Sequence, residues 1–129
     1  MAELSTYMED RIVNFMRAVA ITGQAAVYVA LFTSDAGLEG GVITSEVSGG
    51  SYARELAGLS VSVDGVSANA ADIIFTTATA SWGTITHIAL MDALTAGNVI
   101  MHSPLDAPKT VGNGDTFKIN AGDLDVTIA

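Results

Sequence analysis

Apolar residues recur at Met8, Ile12, Phe15, Met16 and Val19, a spacing of i, i+4, i+7, i+8 and i+11 that lays one stripe along a helix. Glu9, Asp10, Asn14 and Arg17 fall on the opposite side. Thr6 and Glu9 have capping-box spacing, in which each side chain bonds the other's free backbone N–H. The pattern predicts an amphipathic helix over Thr6–Ala20, stopped by Gly23, with residues 1–22 as the helical part of the chain. Its apolar stripe is the candidate subunit-docking element. A terminal helix can lie on its own domain or on a neighbour, and the sequence leaves both open.

From Gln24 the period changes from helix to strand. Gln24–Thr33 is rich in Val, Tyr and Phe and predicts a buried strand closed by Ser34-Asp35-Ala36-Gly37. Leu59, Val61 and Val63 alternate with Ser60, Ser62 and Asp64, the pattern of a half-buried strand, and Asp64-Gly65 reads as a tight turn. Further short strands are predicted at Ile73–Phe75, Thr84–Met91, Asn98–His102, Thr116–Asn120 and Leu124–Ile128. Turn chemistry at Thr95–Asn98, Gly112–Gly114 and Ala121–Asp123 separates the later ones. Pro104 and Pro108 are expected between strands, where a missing N–H does no harm. Together these elements predict a mainly β fold. It is an antiparallel, jelly-roll-like β-sandwich over residues 23–129 with one N-terminal amphipathic helix, all in a single domain 1–129.

Composition narrows the function classes. The 129 residues are 50% apolar and 15% charged, against ~25% charged in an average soluble domain, which excludes intrinsic disorder. A chain of this length buries roughly two-thirds of its unfolded surface and folds without a staple. It contains no Cys, so disulfides, thiolate metal sites and cysteine nucleophiles are excluded. The net charge is −9 and the pI near 4.2. With Arg11, Arg17, Arg54, Lys109 and Lys118 scattered, no basic patch favours nucleic acid. Mean hydropathy is high, at +0.45. Yet the most apolar stretch, Ala18–Phe32, is shorter than the ~20 residues of a spanning helix and is divided by Thr22-Gly23-Gln24. No basic start precedes it, so neither a membrane span nor a secretory signal is expected. The excess apolar character instead suggests surface buried against other subunits.

Candidate chemistry is sparse. His87 alternates with Ile85 and Ala89, and His102 with Ile100, so a hairpin could bring the two rings near Asp92. No HxH or HxxxH spacing supports a metal there. Ser81 or Ser103 could complete a Ser-His-Asp set, but no GxSxG elbow is present. Asp115, Asp123 and Asp125 fall short of a calcium loop, and Gly112-Asn113-Gly114 lacks the rest of a phosphate-binding fingerprint. Trp82-Gly83 reads as a Trp packed under a loop, with sugar stacking as the sharper alternative. The expectation is no catalysis, no cofactor and no metal.

Four segments in order carry a resemblance. They are Val29-Ala30-Leu31-Phe32-Thr33-x-Asp35; Glu46-Val47-Ser48-Gly49-Gly50-x-Tyr52-Ala53-Arg54; Phe75-x-x-Ala78-x-Ala80-x-Trp82-Gly83-x-x-Thr86-His87-Ile88-Ala89-Leu90-x-Asp92; and Pro108-Lys109-Thr110-Val111-x-x-Gly114-Asp115-x-Phe117-x-Ile119-x-Ala121-Gly122-Asp123-Leu124-x-Val126-Thr127-Ile128. From about Tyr7 onward the chain resembles the small tail-fibre-like structural proteins of tailed bacteriophages, a group whose small β members also include head cement. The resemblance implies a virion component. A fibre normally carries a stalk or repeat, and none is seen in the sequence, so the favoured expectation is a capsid cement (decoration) protein. Its partners would be the major capsid protein and copies of itself, as a homotrimer on the outer surface of the head. The alternative is a tail-fibre or tail-tip component partnered by other tail proteins or a host glycan.

Overall fold

The computed structural model describes residues 2–128. In chain order the elements are β1 (Glu3–Leu4), α1 (Thr6–Met16), β2 (Tyr28–Phe32), a 3-10 turn (Leu38–Gly40), β3 (Glu55–Leu56), β4 (Val66–Ala68), β5 (Ile73–Ile74), β6 (Gly83–Met91), β7 (Val99–Val111), β8 (Lys118–Ile119) and β9 (Asp125–Thr127). The protein is mainly β, with antiparallel sheets and one helix, as expected. A five-stranded sheet runs β1-β7-β6-β2-β3, and two ribbons, β4-β9 and β5-β8, complete the strands.

The sheet is buried on both sides, which explains the continuous apolar run of β2. Val29 and Leu31 point to one face, where Ile85, Leu90 and Met101 join Phe75 and Phe117. The ribbons cover this face. There Phe75 meets Phe117 edge-on with centroids 5.6 Å apart, and Tyr52 meets Trp82 edge-on at 5.4 Å. Ala30 and Phe32 point to the other face, with Ala89, Met91, Val99 and the fully buried Leu38 of the 3-10 turn. Pairing β2 with β6 in register Ala30↔Ala89 aligns both faces at once.

Several boundaries differ from those the sequence predicts. The helix stops at Met16, short of both Ala20 and residue 22. Ala18 adopts a left-handed φ of 65°. Its N–H bonds Phe15 O at 3.0 Å, and Val19 N–H bonds Asn14 O at 2.9 Å. These two bonds form a Schellman closure with Ala, not Gly, at its left-handed position. The N-cap is Ser5, not Thr6: its hydroxyl accepts the Met8 N–H at 3.3 Å. The predicted strand at Leu59–Val63 does not form. Only isolated bridges, Leu59↔Asn69 and Val63↔Val66, mark it, and Val61 is 88% exposed. The tight turn at Asp64-Gly65 is present, with φ of 52° and 78°.

Strand β7 is far longer than Asn98–His102 and contains both prolines. It tolerates them because the β6–β7 register jumps from His87↔Pro104 to Ile85↔Lys109. Residues 105–108 therefore bulge away from the ladder, with Pro108 inside the bulge, where no N–H is required, and Pro104 at its edge as the last paired residue. The same bulge reverses side-chain parity. Ile85 faces the core beneath the ribbons, whereas Ala89 and Met91 face the opposite side, so His87 does not share a face with Ile85 as simple alternation predicts.

Candidate docking face

The root of the N-terminal segment is sewn into the domain. Glu3 and Leu4 pair with His102 and Met101 of β7. Ser5 is fully buried; its N–H bonds Ile100 O at 3.0 Å and its hydroxyl donates to Val99 O. Met8 packs against the main core and Ile12 is half-buried. Beyond that point the stripe leaves the domain: Phe15 is 63% exposed, Met16 78% and Val19 48%. Val13 and Ile21 are exposed as well. The sequence stripe is thus divided. Its first two members belong to this domain, and its last three form an uncovered apolar tip. Arg11 braces the helix, with its guanidinium 5.4 Å from the Tyr7 ring centroid and bonded to Thr22 O.

The candidate chemical residues are not assembled into a catalytic set. His87 lies 3.8 Å from Asp35, and His102 Nε2 lies 2.9 Å from Glu39 Oε2. Asp92 accepts from the backbone N–H and side-chain amide of Asn98, closing the turn before β7. Asp115 caps its own turn by accepting the Gly112 N–H at 2.8 Å. Trp82 is 5% exposed and its indole N–H donates to Gly50 O at 2.9 Å, which fulfils the packing reading and leaves no ring face for a sugar. Gly50 permits this approach: at φ 57°, a Cβ there would sit 2.8 Å from Trp82 Nε1.

Two constellations were not assigned from sequence. The first is Glu46–Tyr52–Arg54. Arg54 is 5% exposed; it donates to both Glu46 carboxylate oxygens at 2.7 Å, and to Ala93 O and Ala96 O at 2.7 and 2.8 Å. Tyr52 OH donates to Glu46 at 2.8 Å and accepts the Leu31 N–H at 3.0 Å. Burial pushes the Tyr52 phenol well above its ordinary range, against the Leu31 N–H bond and with help from the Glu46 charge. Burial alone would lower the Arg54 guanidinium, but the Glu46 carboxylate more than offsets this and holds it above its ordinary value. The cluster ties the 46–54 segment to the 93–96 turn. The second constellation is Glu3, Glu39 and His102, whose ligand atoms all lie within 4.8 Å of one another.

A groove of about 680 Å³ opens between β6–β7 and the ribbons, lined by Leu90, Leu105, Phe117, Ile119 and Val126 among others. Among the described residues, no helix is long and apolar enough to cross a membrane. The residues that carry the phage resemblance are spread through the scaffold: Phe32 and Phe75 in the two cores, Trp82 under its loop, and Arg54 in its clamp. No curated protein matches the chain. Over residues 3–127 it matches the family described as Podophage GP4 fiber I protein gp80, and it therefore belongs to that family of phage structural, fibre-type proteins.

Proposed function

We propose that this chain is a non-enzymatic structural part of a podophage virion, a fibre-type module that joins neighbouring tail subunits through the exposed end of α1. One observation carries the reading: a helix whose root is anchored by Ser5 and Met8 presents Phe15 and Met16 at 63% and 78% exposure. Covering each such side chain is worth roughly 1.5–3 kcal/mol. A single contact is therefore weak, and several copies engaging together hold firmly. The partners are copies of the chain in a cyclic assembly, a trimer by preference, and other tail proteins.

A second reading, head cement bound to the major capsid protein, is favoured by the compact layers, which contain no elongated repeat among the described residues. Gold labelling of purified virions separates the two. A few copies confined to the tail are the expected result. Hundreds of copies over the head would establish cement and end the fibre reading. In parallel, Phe15→Ser with Met16→Ser should leave the melting temperature unchanged and abolish incorporation into virions. Normal incorporation would remove α1 from the docking role.

A further inference from the structure

The geometry points to a divalent transition-metal site formed by Glu3, Glu39 and His102, independent of where in the virion the domain sits. Three distant parts of the chain supply the donors: β1, the 3-10 turn and β7. Glu3 and His102 are direct cross-strand partners, so their side chains leave the sheet side by side. Glu39 is held opposite them because Leu38, its neighbour, is locked in the second core at 0% exposure. Its Oε1 also lies 3.5 Å from the Thr6 hydroxyl, and its Oε2 is 2.9 Å from His102 Nε2. The three donor atoms lie within 4.8 Å of one another, so a small rotation of the exposed Glu3 and Glu39 side chains brings all three to the ~2.0–2.2 Å that a bound ion takes from each oxygen or nitrogen.

A separate observation concerns the cavity these residues share. About 480 Å³ in volume, it is lined by Glu3, Glu9, Asp35 and Glu39 together with His102, and by no Lys or Arg. Four carboxylates converge on a space that contributes no fixed cation, in a protein already carrying −9. The His102 side chain is only 10% exposed and lines this cavity. Two carboxylates with one imidazole suit borderline ions of the Zn²⁺ and Fe²⁺ kind better than Mg²⁺ or Ca²⁺, which take oxygen. Three protein ligands leave a further position open toward the cavity, where Glu9 and Asp35 stand. A bound ion would clip β1, and with it the root of α1, to β7 and the 3-10 turn.

The test uses the full chain, stripped with chelator and titrated with Zn²⁺ by calorimetry, with thermal melting alongside. Saturable binding of one ion per chain and a raised melting temperature are expected, since a ligand held only by the folded state stabilises it. Glu39→Gln and His102→Gln should each weaken binding by at least the roughly 10–100-fold that loss of a metal ligand's supporting partner costs. Asp125→Asn, outside the cavity, should change nothing. Should a variant fail to fold, the unaltered chain still decides the matter by NMR, because it has only two histidines. Zn²⁺ should shift the His102 ring resonances more than those of His87. No saturable binding, binding unaffected by either variant, or a response to Ca²⁺ and Mg²⁺ without one to Zn²⁺ would each overturn the assignment.

Discussion

Replacing Arg54 with Met removes a guanidinium while keeping most of its aliphatic volume. What is lost is specific: two bonds to Glu46 at 2.7 Å and the bonds to Ala93 O and Ala96 O. Glu46 keeps only the Tyr52 hydroxyl, with its side chain 15% exposed and no counter-charge. Breaking a buried pair from one side costs about 3–5 kcal/mol, because the remaining charge stays desolvated. Against a total stability of about 5–15 kcal/mol this is a large fraction. For a chain of this size each kcal/mol moves the midpoint by roughly 3–5 °C, so the expected drop is on the order of 10–25 °C. Urea unfolding with an unchanged slope would assign the loss to the native state. The companion variant, Arg54→Met with Glu46→Leu, should recover part of the loss, since the stranded carboxylate is gone. A single-variant loss under about 1 kcal/mol, or a double-variant loss equal to the sum of the two singles, would refute the clamp as described.

Two further outcomes follow from local geometry. Ala18→Gly should stabilise the protein by about 0.5–1 kcal/mol in urea unfolding, because a left-handed φ of 65° is strained for Ala and free for Gly; a destabilised variant would contradict the Schellman closure. Asp72 accepts the Ala121 N–H and pairs with Lys118 at 3.3 Å, and these two contacts, the first foremost, hold its carboxyl below the ordinary range. A depressed carboxylate contributes stability above its unfolded value, near ~3.9, and loses it as pH falls through the folded one. The acid limb of stability should therefore be shallower in Asp72→Asn, and superimposable limbs would show that the contacts add nothing.

The mainly β class, the β6–β7 hairpin and the turn at Asp64-Gly65 were legible because each is written in local periodicity or turn chemistry. The errors have local causes as well. The periodicity predicts a longer α1 because its left-handed closing residue is Ala18, which carries no stop signal, while Gly23 lies further on. Leu59, Val61 and Val63 alternate like a buried strand, but period alone does not reveal whether a neighbouring strand exists to cover them. Pro104 and Pro108 argued against a strand, and only the jump in register shows how β7 absorbs them. The docking stripe reads as one unit in the sequence, yet its division at Ile12 depends on where β7 and the core lie. Arg54 with Glu46, and Glu3 with Glu39 and His102, were out of reach because their meaning arises only from partners brought together by the fold. The Ala93 and Ala96 carbonyls lie 39 and 42 residues from Arg54, and Glu39 lies 63 residues from His102.

Pairing β1 with residues 101 and 102 has a consequence for the order in which the molecule is made. On the ribosome, β1 emerges before the rest of this domain and has no edge to join until nearly a hundred more residues follow. At ~5–20 residues per second that interval is roughly 5–20 s, far longer than the microsecond needed to form a helix. Throughout it, Met8 and Ser5 lack their final seats, and the whole stripe from Met8 to Val19 is apolar and uncovered. The closing step must also bring together ends separated by most of the chain, an entropic cost that falls on the last strand to dock and slows folding. Nascent chains on one message are thus sticky along this early segment. That is a hazard for aggregation, and under the proposed assembly with its own copies it also offers a time at which those copies can first meet.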